Sequence, residues 1–202
     1  YDACVAAGST NVRFIQQCVS DRYYSETVPD KDIDVIQIGR RNEVLHEYML
    51  KYCADHPDIE YVYQDKGASL RYISTIRGDM GTLPGRREFT DMMRRARVSL
   101  VSSPRSDGCR DVFGGADLIT ARFYESAVFF CHMIGRYTQN KETELIGLSS
   151  VCPNVGSYEE FVSIMDRYLS YRDAGYDWTV QREFITKNLA SNRADQIMDE
   201  II

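Results

Sequence analysis

The chain reads as an α/β protein with a doubly wound parallel sheet, and two observations predict this. The run Ile33-Asp34-Val35-Ile36-Gln37-Ile38 is rich in β-branched residues and closed by Gly39, the pattern of a buried strand. An apolar stripe at helical spacing and a second strand follow it. Asp32 to Tyr63 therefore forms one strand–helix–strand unit of about the 30 residues a parallel crossover requires. The alternation then repeats, which puts helices on both faces of the sheet.

Residues 1–31 fit the alternation poorly and are expected to be the end of a preceding domain or a linker running through Pro29. The sheet domain is expected over 32–175. Its first helix carries Val44, Leu45, Tyr48, Met49 and Tyr52, and ends at His56-Pro57 because the residue before proline is driven out of the helical region. Ile59 to Tyr63 is the second strand, and Tyr72 to Ile76 a short third one. Phe89, Met92, Met93 and Ala96 mark a helix that leads into the strand Val98 to Val101. Thr120, Phe123, Tyr124, Ala127, Val128 and Cys131 mark the next, feeding the strand His132 to Ile134 before Gly135. Ser157 with Glu160 forms a capping box. It opens a helix whose stripe of Tyr158, Phe161, Val162, Met165, Tyr168 and Leu169 reads as core. Residues 176–202 are expected to be a C-terminal helical tail with Phe184, Ile185, Leu189, Ile197, Met198 and Ile201 on its apolar face.

The composition narrows the function. A net charge of −6 argues against a nucleic-acid binder, since neutralising phosphates needs a basic face. No stretch approaches the ~20 apolar residues of a membrane span, and no signal peptide is visible. None of the six cysteines forms a C-x-x-C pair, so a reducing, cytoplasmic location is expected. The chain starts at Tyr1 in mid-pattern, as a fragment would. His46, His56 and His132 stand at no metal-site spacing; the first two are expected in solvent, and no metal is expected.

In an open parallel sheet, ligands bind beyond the carboxyl ends of the strands. That rule selects Gly39-Arg40-Arg41-Asn42, the turn around Gly81 to Gly85, the loop Ser102 to Ala116 with its Gly114-Gly115 pair, and Gly135-Arg136. Three of these four carry arginine, whose fork matches phosphate oxygens, and helix amides add anion sites. A phosphorylated ligand is the natural expectation. No G-x-G-x-x-G follows the first strand and no G-x-x-x-x-G-K-[ST] occurs, which argues against dinucleotide dehydrogenases and P-loop enzymes.

Two runs carry a family resemblance. Asp34-Val35-Ile36-Gln37-Ile38-Gly39-Arg40 resembles the first strand and glycine-arginine turn in the C-terminal, Rossmann-like half of GT-B-fold glycosyltransferases. Thr120 to Ala127, continuing to Cys131-His132-Met133-Ile134-Gly135, is similar to their donor-site helix. The group 1 and spore-coat-type glycosyltransferase-like proteins are the nearest in pattern, and the likeness covers about Asp32 to Ile202.

The resemblance implies a donor site for a nucleotide-diphosphate sugar, with no further cofactor. Glu125 would accept hydrogen bonds from the ribose hydroxyls; the alternative is a helical i,i+3 pair with Arg122. Asp117 stands where retaining members often carry an earlier glutamate, and it also reads as the N-cap of the following helix, the reading favoured here. Amides near Leu118 and Ile119 would face the pyrophosphate, with Arg40 on the same phosphates and Arg41 in place of a lysine common in the family. Thr82 and Leu83 would lie against the base. Arg40 and the helix amides would stabilise the departing diphosphate. A glycan or other acceptor would be brought by a missing N-terminal domain, onto which the family's last helix crosses; here that helix would present Trp178, Phe184, Ile185 and Leu189. The alternatives are a non-catalytic nucleotide-binding or interaction domain, and a nucleotide-sugar epimerase.

Overall fold

The computed structural model describes residues 1–67, 70–106, 117–171 and 175–201. Strand β1, Ile33–Gln37, is buried at every residue, the polar Asp34 and Gln37 included, as a central parallel strand covered on both faces is. It pairs in parallel with β2 (Tyr61–Gln64) on one side and with β5 (Ala96–Ser102) on the other. Strand β6 (His132–Arg136) extends the sheet in parallel beyond β5. Beyond β2 lie β3 (Arg71–Ser74) and β4 (Gly78–Thr82), giving the order β4-β3-β2-β1-β5-β6.

The sheet is thus mostly but not wholly parallel. β3 runs antiparallel to β2, and β4 antiparallel to β3. Gly81 and Thr82 belong to β4 rather than to a turn, with Thr82 opposite Arg71. Two reversals bring β4 back to the direction of β2, so its carboxyl end still faces the same edge as the parallel strands.

Alternating residues feed the two faces. On one, Leu45, Met49 and Tyr52 of α2 (Glu43–Asp55) and Phe161 and Met165 of α6 (Tyr158–Ser170) cover Val35, Val98, Leu100 and Ile134. On the other, Met92 and Met93 of α3 (Arg86–Arg95) and Phe123 and Ala127 of α4 (Ala121–Val128) cover Ile36, Val101 and Met133. Ser157 caps α6 through the Glu160 amide, but the Glu160 carboxylate takes the amide of Gly156 rather than that of its own cap residue.

The chain ends join the second face. Phe184 and Ile185 of α7 (Thr179–Lys187) are buried in its core, and Gln181 Nε2 donates to the carbonyls of Ala127 and Cys131 at 2.9 and 3.3 Å. Leu189 bridges to Val19, and Tyr23 packs edge-on to Phe129 at 5.8 Å. The expected contact of this stripe with another domain is therefore corrected: these side chains are already enclosed by α4. The remaining helices are α1 (Asp2–Ala6), α5 (Lys141–Leu145) and α8 (Ala190–Ile201). No helix among the described residues is long and apolar enough to cross a membrane.

Candidate functional site

The strand order reverses between β1 and β5, and the crevice at such a switch point, outside the carboxyl ends, is where open α/β sheets hold ligands. Its walls are the loops after β1 and β5 and the start of α4. Gly39 adopts φ +76°, a left-handed turn that suits glycine. Arg122 reaches across from α4, and its Nη1 donates to the carbonyls of Ile38 and Arg40 at 2.9 and 2.8 Å. A Cβ on Gly39 would stand 3.1 Å from that nitrogen, so a larger residue would press the Arg122 guanidinium back by a few tenths of an ångström. Tyr72 of β3 completes the brace: burial raises its hydroxyl pKa, while a backbone hydrogen bond with Gly39 and the charge of Arg122 act the other way.

The two loops are tied together. Asn42 caps α2 by accepting from the Leu45 amide at 2.9 Å, and its Nδ2 donates to the Ser106 carbonyl at 3.0 Å. Beneath them lies a buried polar chain. The Tyr61 hydroxyl donates to Gln37 Oε1 at 2.9 Å, which leaves it to accept from His46 Nδ1 at 3.0 Å. His46 is thus buried rather than solvated, because its helical position turns it onto Tyr61 and Tyr63. Burial, then the nearby Arg41 charge, lowers its pKa to about 4.

The predicted site residues divide. Gly39, Arg40 and Arg122 come together, and Glu125 lies one turn further along α4. Glu125 is buried, and its partner is not Arg122 but Arg86, at 2.5 Å from the first residue of α3. Sequence reasoning missed Arg86. A signal existed: cations in a first helical turn oppose the helix dipole, so Arg86-Arg87 implied an external carboxylate.

Asp117 is not the cap of α4. Thr120 occupies that position. Asp117 instead accepts from Ser103 Oγ, the Arg105 amide and the Thr138 amide at 2.7, 3.0 and 3.2 Å, holding the β5 and β6 loops together. Burial pushes its pKa up, but the hydrogen bonds outweigh this and hold it below the ordinary value. The Ile119 amide is already taken by Glu142 Oε2 at 3.3 Å, so it does not face the crevice free. Leu118 is exposed.

Arg41 is engaged elsewhere, paired with Glu43 at 3.2 Å and reaching the Gln64 carbonyl at 3.5 Å. Thr82 and Leu83 sit at the β4 edge, with β3 and β2 between them and β1; Leu83 packs on the core. Gly135-Arg136 is covered by a neighbouring chain segment: Gly135 bonds the Pro153 carbonyl and the Val155 amide, and a Cβ there would meet Cys152 Sγ at 2.7 Å. The stretch 107–116, including Gly114-Gly115, lies outside the described residues. Among the described residues, Thr120 Oγ1 is a buried polar atom without a hydrogen-bond partner, at the start of α4.

A chain of the solved GtfA/B complex shares this architecture, with a TM-score of 0.50 over 92% of this chain at 12% sequence identity. The likeness is one of fold. This chain spans 38% of the length of that one. No family model and no curated protein matches the sequence.

Proposed function

We propose that this chain is the donor-binding domain of a glycosyltransferase, seating a nucleotide-diphosphate sugar in the crevice between the β1 and β5 loops. The observation that carries this reading is the Arg122 brace, which joins the Gly39-Arg40 turn to α4 at the switch point. The Thr120 hydroxyl and the first amides of α4 supply donors for phosphate oxygens. Arg40 stands beside them, and charge leaving on the diphosphate is stabilised where such groups are held rigid. Glu125 keeps acceptor capacity beside Arg86 for a ribose diol, since a carboxylate has about four lone-pair sites. What the GtfA/B complex shares with this chain is the sheet architecture on which the proposed seat is built.

Calorimetric titration with uridine, guanosine and adenosine diphosphates tests it. Saturable binding of at least one, weakened about tenfold or more by Glu125→Ala or Arg40→Ala, supports the seat. No binding by folded protein overturns it.

One observation favours a second reading, an interaction domain without catalysis. The Glu142 carboxylate occupies the Ile119 amide, where a phosphate would otherwise bind. Under the donor-site reading Glu142→Gln strengthens diphosphate binding, because a competing negative charge is removed; under the second reading it changes nothing.

A further inference from the structure

At the opposite, amino-terminal edge of the sheet lies a cleft of about 410 Å³ that the donor site does not use. Its wall is aromatic. His132, the first residue of β6, is stacked between Tyr168 at 4.5 Å and Trp178 at 4.6 Å, with Tyr176 edge-on at 4.5 Å. Tyr171 and Tyr176 pack against each other at 4.9 Å. His132 and Tyr168 are buried and support the wall, whereas Tyr176 is 38% exposed and Tyr171 and Trp178 are half-buried. The other side is polar, formed by Asp30, Lys31 and Arg97. The Lys31 ammonium donates to the carbonyls of Arg94 and Phe129, and Arg97 Nη2 to the Lys31 carbonyl, so this side is rigid.

We propose that this cleft is a carbohydrate-binding site, taking a neutral sugar ring whose C–H face lies on the exposed Tyr176, with Trp178, its ring plane at 74° to that of Tyr176, closing one side, and whose hydroxyl edge meets Asp30 and Arg97. A pocket with ring faces on one side and mixed donors and acceptors on the other suits a ligand with one apolar face and a hydroxylated rim. Lys31 and Arg97 bring donors to this side and Asp30 brings acceptors, so it offers both kinds of partner to hydroxyl groups rather than one sign of charge to an ion.

Trp178 is the sole tryptophan, so its emission reports on this cleft directly. Maltotetraose, cellotetraose and chitotetraose are titrated against the intact chain while tryptophan emission is followed. A saturable change with at least one of them is expected, weakened about tenfold in Tyr176→Ala and in Tyr171→Ala. Thermal unfolding of both variants verifies that they remain folded. No change with any sugar, or a change that both folded variants retain, overturns the proposal. So does a response to tetramethylammonium or adenosine in place of the sugars. Uridine diphosphate binding, measured separately, is independent of every one of these outcomes.

Discussion

Arg122 and Gly39 are fitted to each other. The Arg122 guanidinium rests over the glycine, with Nη1 bonded to the carbonyls on either side of it, and a Cβ on the glycine would crowd that nitrogen at 3.1 Å. The turn after β1 and the start of α4 are thereby one rigid unit, although 82 residues separate Arg40 from Arg122 in sequence.

Gly39→Ala is expected to destabilise the fold by about 1–3 kcal/mol, from left-handed strain plus displacement of Arg122. Urea denaturation measures it. In an Arg122→Ala background the same substitution costs less, because the steric conflict is already gone. Equal costs in both backgrounds would show that the two residues are not coupled.

The ion pair between α3 and α4 is asymmetric. Glu125 is buried while Arg86 is half-exposed, so the two deletions differ. Arg86→Ala strands a buried carboxylate and is expected to cost about 1–3 kcal/mol. Glu125→Ala frees an arginine that returns to water, at below about 1 kcal/mol. Chemical denaturation of both variants checks the order, and the reverse order contradicts the burial described.

These two cases show what the sequence reveals and what it hides. The β1–α2–β2 unit was legible because period and burial coincide: Leu45, Met49 and Tyr52 recur on one helix face, and β1, rich in β-branched residues, is buried throughout. The β3–β4 hairpin was hidden. Gly78-Asp79-Met80-Gly81-Thr82 has two glycines and an aspartate, lies largely exposed at the sheet edge, and so carries no strand signature. Glu125 stood out as a lone helical carboxylate, yet its partner lay 39 residues away, beyond any local spacing rule. Asp117 read as a cap for a local reason, and it was tertiary contacts with Ser103 and Thr138 that took its oxygens instead.

Asp117→Asn is expected to cost about 1–3 kcal/mol at neutral pH, since an NH2 donor replaces one carboxylate oxygen and faces donors. The folded carboxyl titrates below its unfolded value, so its contribution is full above that value and is lost as pH falls through the depressed one. The gap between wild type and variant therefore narrows below about pH 4. Denaturation midpoints at neutral and acid pH test this, and a gap that stays constant would count against it.

His46 and His132 set a second pH window. Burial, followed by neighbouring cations, lowers both to about 4 from 6.5. The unfolded chain binds these protons first, so between pH 6.5 and about 4 stability falls as pH falls, by an order of 2–3 kcal/mol per histidine. His132→Phe keeps the ring stack while removing the titration, and is expected to flatten roughly half of that slope. An unchanged slope in this variant would place the effect elsewhere.

The tail makes the sharpest contrast with the sequence reading. Had Phe184 and Ile185 been turned toward another domain, removing them would leave this one intact. They are instead buried against Tyr124 and the rest of the second face, and Gln181 satisfies two carbonyls at the end of α4. Phe184→Ala is expected to cost about 3–5 kcal/mol, the loss of a buried ring plus its cavity. Truncation before Thr179 removes the whole α7 contact, including the Gln181 hydrogen bonds to the carbonyls of Ala127 and Cys131. That shortened chain is expected to lose its cooperative thermal transition. A sharp transition near the intact value would mean that α7 contributes nothing to the core, and would restore the tail to a contact outside this fold.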